Sequence, residues 1–105
     1  MSEGRVRRAW LGLAGGARPL PPAVREQVGE ERGVEVLEVV DDSPADRAGL
    51  RPEDLIISAD GVRVADVADL QRLLVGDRIG QRLTLRVARA GELREVALVP
   101  HELEG

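Results

Sequence analysis

The sequence has no cysteine, no phenylalanine, no tyrosine and one tryptophan in 105 residues. Without cysteine there is no disulfide framework, no zinc–thiolate site and no thiol nucleophile, and the chain is compatible with an oxidising or a reducing compartment. With aromatics at 1%, the stacking platforms used for single-stranded nucleic acid are excluded. The core must then be built from Val, Leu, Ile and Ala. Lysine is also missing, so every strongly basic residue is arginine. There is no excess of positive charge: the net charge is −4, whereas a general nucleic-acid binder is basic. The one basic cluster, Arg5, Arg7 and Arg8, reads as a solvated strand edge. Long apolar runs are absent, and a transmembrane helix needs about 20 such residues. Any membrane contact would have to come through segments outside this chain. The opening Met1-Ser2-Glu3-Gly4 lacks the apolar stretch of a signal peptide.

Catalytic groups are equally scarce. A serine-protease triad needs a nucleophile, a base and an orienting group. The single histidine is His101, near the C-terminus, outside any pattern of secondary structure and expected to be exposed. No Gly-x-Ser-x-Gly turn occurs. Glu30-Glu31 and Asp41-Asp42 read as ordinary turn acids, and one His with no Cys makes a poor metal-ligand set. Gly12, Gly15 and Gly16 lack the lysine and the following helix of a phosphate loop. The expectation is no catalytic residue, no metal and no cofactor.

What is present is enough for one domain: 105 residues, 43% of them hydrophobic. Ala9 to Leu13 reads as a short strand or a strand-entry loop, broken by Gly15 and Gly16. Pro21 and Pro22 precede a short helix over Ala23–Val28, where early proline loses no amide bond. Val34–Val40 is rich in β-branched residues, and its Glu positions do not fit a helical stripe. Ser43 and Pro44 start a short helix that Gly49 closes. Strands follow over Asp54–Ala59 and, after the Asp60-Gly61 turn, Val62–Val64. Asp66 caps a helix running to about Val75 and stopped by Gly76. In Leu83–Arg89, Leu83, Leu85 and Val87 alternate with Thr84, Arg86 and Ala88, as in a half-buried strand. Ala90-Gly91 turns the chain into a return strand over Leu93–Val99. The sum is a small α+β domain, a partly closed antiparallel barrel or sandwich of five or six strands capped by two or three short helices.

Three features fall together. Trp10-Leu11-Gly12-Leu13 is an apolar–apolar–Gly–apolar turn before a strand; its glycine lets successive N–H groups converge on one hollow, a nest that suits a carboxylate. Ser43 to Ile56 combines a capped short helix with core apolar residues. The helix after Asp66 places Val67, Leu70, Gln71 and Leu74 within about 100° of one another. For Val67 and Leu70, a groove position and a core position both remain open.

"SPADRAGLRPEDLIISADG" (residues 43–61) resembles the signature of bacterial PDZ domains, SPA-x-x-AGL-x-x-GD-x-I-x-x-x-x-G. "GRVRRAWLGL" (residues 4–13) resembles the junction between the protease and PDZ domains of the HtrA-family, trypsin-like serine proteases. The likeness runs from about Gly4 to Val99. One departure is visible, Glu53 in place of the family's glycine. The resemblance implies residues 1–8 as a linker or the end of a preceding protease domain, 9–100 as the PDZ domain and 101–105 as a tail. It implies a module that binds the C-terminus of other proteins by strand addition. Backbone N–H groups of Leu11, Gly12 and Leu13 would hold the carboxylate. Trp10, Ala14, Val67, Leu70, Gln71 and Leu74 would line the groove, with Leu73 in the core. It also implies a parent serine endopeptidase in an extracytoplasmic location, with C-terminal peptides and the parent's protease domain, rather than nucleic acid, as partners. Two other readings stay open: an assembly domain whose groove is filled by the parent's own subunits, and a PDZ domain from another protease type.

Overall fold

Four small segments of sequence chemistry set the framework. Asp60-Gly61 and Ala90-Gly91 all have positive φ (49°, 81°, 53° and 82°), the backbone of the two-residue turns whose twist suits antiparallel hairpins. Ser43 caps a helix by accepting the Asp46 N–H at 3.1 Å, and Asp66 caps another by accepting the Asp69 N–H at 2.9 Å, as the sequence predicts.

The computed structural model describes residues 8–102. In chain order they form β1 (Ala9–Trp10), β2 (Leu13–Pro19), α1 (Pro22–Val28), β3 (Arg32–Val39), α2 (Pro44–Arg47), β4 (Leu55–Ala59), β5 (Val62–Arg63), α3 (Val67–Leu73), a 3-10 turn at Gly76–Arg78, β6 (Leu83–Arg89), β7 (Glu92–Leu98) and β8 (His101–Glu102). The main sheet is antiparallel with order β2-β3-β4-β6-β7, and β5 pairs with β4. This is the α+β architecture expected. The sheet is not closed into a barrel: β2 and β7 are its two edges.

Both faces of the sheet are covered at its centre. Val34, Val36, Ile56, Leu85 and Val87 pack on one side with Leu11, Leu50 and Leu70. On the other, Leu55, Ile57 and Ala88 pack with Leu20 and with Val24 of α1. That second layer explains why Leu55, Ile56 and Ile57 are all buried. It also explains why Ala88, assigned by alternation to the polar side of its strand, is buried. Each fully buried Val, Leu or Ile contributes roughly 1.5–3 kcal/mol.

Three local expectations are corrected. Gly15 and Gly16 do not break the strand; they lie within β2. A Cβ on Gly15 would sit 2.6 Å from Val34 Cγ1 and 3.0 Å from the Glu35 carbonyl oxygen, so the glycine serves close strand approach beside the register shift at Ala14/Gly15. α3 ends at Leu73 rather than about Val75, because Leu74 leaves the helical region (φ −97°, ψ 55°). His101 is not outside secondary structure: with Glu102 it forms β8, and Trp10 and Ala9 are their partners. It is exposed there, as expected. Of the basic cluster, Arg5 and Arg7 lie outside the described residues; Arg8 is exposed.

Glu53 stands where the resembled pattern has glycine, and its φ is +79°. A side chain there costs roughly 1–2 kcal/mol, while glycine's greater freedom in the unfolded chain returns about 0.4–1 kcal/mol. Its N–H donates to the Val36 carbonyl at 2.7 Å and needs no side chain. Glu53→Gly is therefore expected to raise the thermal midpoint by about 2–4 °C, equivalent to about 0.5 kcal/mol. A fall in midpoint on differential scanning would contradict this account of the turn.

Candidate functional site: the groove between β2 and α3

β2 presents an open edge because its neighbour lies on one side only. Leu13 is opposite Val39, and the Val40 N–H donates to the Gly12 carbonyl at 2.8 Å. That bond, one residue out on each strand, marks Leu13–Val39 as a non-hydrogen-bonded pair. The N–H and C=O of Leu13 therefore point away from β3, towards the open edge.

The preceding loop is oriented by the same logic. The Leu11 carbonyl accepts the Ala45 N–H at 2.8 Å, and the Gly12 carbonyl accepts from Val40 and from the Ser43 hydroxyl at 3.4 Å. In a trans peptide the carbonyl and the next N–H point in opposite directions. With both carbonyls turned towards α2 and the loop before it, the Gly12 and Leu13 N–H groups point the other way. Gly12 reaches this conformation at φ +85°, open to glycine at no steric cost.

α3 forms the facing wall. Its last turn is tied to β1 by the Ala9 N–H, which donates to the Leu74 carbonyl at 3.1 Å. Between the two walls lies a cavity of about 550 Å³. Trp10, Leu11, Gly12 and Leu13 line one side, and Val67, Leu70, Gln71 and Leu74 the other. Leu70 is only 3% exposed and belongs to the core cluster while also lining the cavity. Val67 and Leu74 are half-buried against the core, and Gln71 is exposed. Leu73, expected in the core, is half-buried against it. Ala14 is exposed and does not reach the cavity wall.

The sequence reading missed Arg8, Ala9, Gly15, Val34, Ala68, Arg72 and Val75 among the lining residues. Val75 arrives there because α3 ends early, and the bridge between Val75 and Arg8 brings the arginine with it. The charged lining residues are both basic, Arg8 and Arg72. Arg72 pairs with Asp69. The Ala65 N–H, with Arg72 second, holds the Asp69 carboxyl below its ordinary range.

An apolar slot beside an unpaired strand edge, headed by outward-turned N–H groups, suits an extended chain ending in an acceptor. Residues 23–99 match the PDZ domain family. The chain belongs to that family. The PDZ domain is 34% identical over 95 residues to a "Probable periplasmic serine endoprotease DegP-like" of Hahella chejuensis, covering 90% of this chain and 20% of that protein. It is 35% identical over 109 residues to "Putative protease Do-like 14" of Arabidopsis thaliana, covering 95% and 23%. It thus spans about a fifth of the length of the curated relatives it matches. Among solved structures it resembles "HtrA-type protease AlgW with tripeptide" (TM-score 0.77, 30% identity, 97% of this chain and 34% of that one). The fold also matches the HtrA3 PDZ domain bound to a phage-derived ligand, FGRWV (TM-score 0.70, 23% identity, 94% and 90%). The relatives and structural neighbours are thus HtrA-type proteases, as the sequence resemblance implies.

Proposed function

We propose that this PDZ domain is a regulatory module that binds the C-terminus of other proteins by strand addition to β2. The observation that carries the reading is the coincidence of the outward Leu13 backbone groups, the outward Gly12 and Leu13 N–H groups and the apolar slot against α3. The carboxylate accepts from the amides of Leu11, Gly12 and Leu13. The last side chain, apolar, enters between Leu11, Leu13, Leu70 and Leu74. Trp10, Val67 and Gln71 border the groove, and Ala14 follows Leu13 along the edge that receives the peptide.

The domain supplies recognition, and catalysis belongs to a parent trypsin-like endopeptidase of the HtrA type. Residues 9–100 are the binding domain in this reading, with 1–8 leading from the protease domain and 101–105 as a tail. The periplasmic naming of several relatives supports an extracytoplasmic parent that engages substrate or misfolded proteins.

The test is calorimetric titration with one peptide, ending in an apolar residue, as free acid and as amide. Charge-assisted hydrogen bonds contribute roughly 1.5–3 kcal/mol each. Amidation is expected to weaken binding about tenfold or more, at about 1.4 kcal/mol per decade. Equal affinity of the two forms would remove the carboxylate from the account and favour an assembly role or recognition of internal segments.

A further inference from the structure

The Gly12 and Leu13 amides are aimed by the carbonyls of Leu11 and Gly12, which Ala45 and Val40 hold. The Leu11 amide follows the Trp10 carbonyl instead, and that group belongs to β1. β1 lies between two neighbours. On one side the Ala9 N–H donates to the Leu74 carbonyl, just past the end of α3, at 3.1 Å. On the other is β8, with Ala9 opposite Glu102 and Trp10 opposite His101. Residue pairs along an antiparallel ladder alternate between exchanging both backbone bonds and exchanging none. Ala9 is turned to α3, so the bonded pair is Trp10–His101, and the His101 N–H donates to the Trp10 carbonyl. A trans peptide sets its carbonyl and the next N–H in opposite directions, so the Leu11 N–H points away from β8. That is the side of α3, where Leu11 and Leu74 line the same cavity. β8 has an anchor of its own: it follows Pro100, which is fully buried and whose carbonyl accepts the Gly80 N–H at 3.0 Å.

We infer that His101 is a positioning residue for the peptide site: through its backbone N–H, β8 fixes the Trp10–Leu11 peptide plane and so aims the Leu11 amide at the ligand's carboxylate. The inference rests on carboxylate capture by the Leu11–Leu13 loop. His101 acts through its main chain, since the residue's surface is exposed. A nest of three amides needs three fixed peptide planes. Ala45 and Val40 fix two, and β8, from a segment distant in sequence, fixes the third. With β8 detached, the Trp10–Leu11 plane is free to turn, and the carboxylate meets two amides in place of three. The coupling is reciprocal: a carboxylate held at Leu11 strengthens the β1–β8 pairing by the same factor by which loss of that pairing weakens binding.

The experiment uses His101→Pro, which removes the N–H at a strand edge where proline is tolerated. One peptide ending in an apolar residue, as free acid and as amide, is titrated calorimetrically into the unchanged chain and into the variant. The free acid is expected to lose about fivefold in affinity or more and the amide little, so the acid-to-amide ratio falls. A strand that served stability alone would weaken both forms alike. Hydrogen exchange at the His101 amide is read in the unchanged chain, and so needs no folded variant. Saturation with the free acid is expected to slow it about fivefold, and saturation with the amide less. An acid-to-amide ratio unchanged in folded His101→Pro, or His101 exchange that the free acid does not slow, overturns the inference while leaving peptide addition in place. Equal affinity of acid and amide for the unchanged domain overturns carboxylate capture, and this inference with it.

Discussion

Gly12→Ala is expected to cost about 3 kcal/mol of stability and to lower the thermal midpoint by about 15 °C. Two effects add. At φ +85° a side chain strains the backbone by roughly 1–2 kcal/mol. The new Cβ would also sit 2.1 Å from Ser43 Cβ and 2.5 Å from Ser43 Oγ. Ser43 is buried and fixed as the cap of α2, so relief requires the loop or α2 to shift. Forcing extra atoms into a packed site costs roughly 1–3 kcal/mol. Such a shift would also disturb the bonds from Ala45 to Leu11 and from Val40 to Gly12 that orient the loop amides, so peptide affinity should fall with stability. Gly12→Val should be worse on both counts, because its branched carbon enters the same space. Pairing Gly12→Ala with Ser43→Gly removes the collision and leaves the backbone strain. Urea unfolding of the double variant should recover about half of the loss relative to the sum of the single changes. A Gly12→Ala domain as stable as the parent would refute the described contact between the loop and α2.

Arg89→Leu is expected to destabilise the domain by about 3 kcal/mol, at the low end of the range for breaking a buried ion pair. Asp54 is 1% exposed. Arg89 Nε donates to its Oδ1 at 2.8 Å and Nη2 to its Oδ2 at 2.7 Å, a two-point bond between planar groups. The same Nη2 donates to the Gly49 carbonyl at 2.8 Å, and the Arg51 N–H donates to Asp54 Oδ2 at 3.0 Å. The arginine thus holds together the turn after α2, the start of β4 and the end of β6. Leucine leaves a carboxylate in the interior with one amide donor. Because the Arg89 side chain is 18% exposed, water can enter and soften the penalty. Asp54, through its hydrogen bonds first, raises the Arg89 pKa above the ordinary guanidinium value. A raised folded value gives stability fully present below the unfolded value and lost only as pH climbs through the folded one. The contribution of the arginine is therefore flat across neutral pH. Arg89→Lys should recover only part of the loss, since an ammonium cannot reproduce the two-point geometry. Urea midpoints unchanged by Arg89→Leu would show that the pair does not hold this turn.

The elements most legible in the sequence were those fixed by local chemistry. Ser43 and Asp66 announce their helices because a capping side chain acts on amides three residues away. Leu83, Leu85 and Val87 announce β6 by their period. The loop Trp10–Leu13 and the α3 face Val67, Leu70, Gln71 and Leu74 were legible as groove walls once the PDZ resemblance put them together. What stayed hidden depends on partners distant in sequence. Gly15 looks like a breaker until Val34 is seen against it. Glu38 and Val39 hold the faces opposite to those that alternation from Val34 and Val36 assigns, because the strand register shifts beside Ala14/Gly15. Asp54 reads as a strand entry, and nothing near it in sequence points to Arg89. His101 joins a strand because β1 lies beside it, a pairing of residues at opposite ends of the chain. Leu70 could not be assigned to core or groove by period alone, since one helix face serves both.

The most direct test of peptide addition at β2 is amide chemical-shift mapping during titration with a free-acid peptide ending in an apolar residue. The account predicts that the Leu11, Gly12 and Leu13 amides shift most, with smaller changes along β2 and at Val67, Leu70 and Leu74. The Gly12 and Leu13 shifts should be largely lost when the peptide is amidated. Saturable binding with the largest shifts on the β7 edge, and none over residues 10–14, would contradict it.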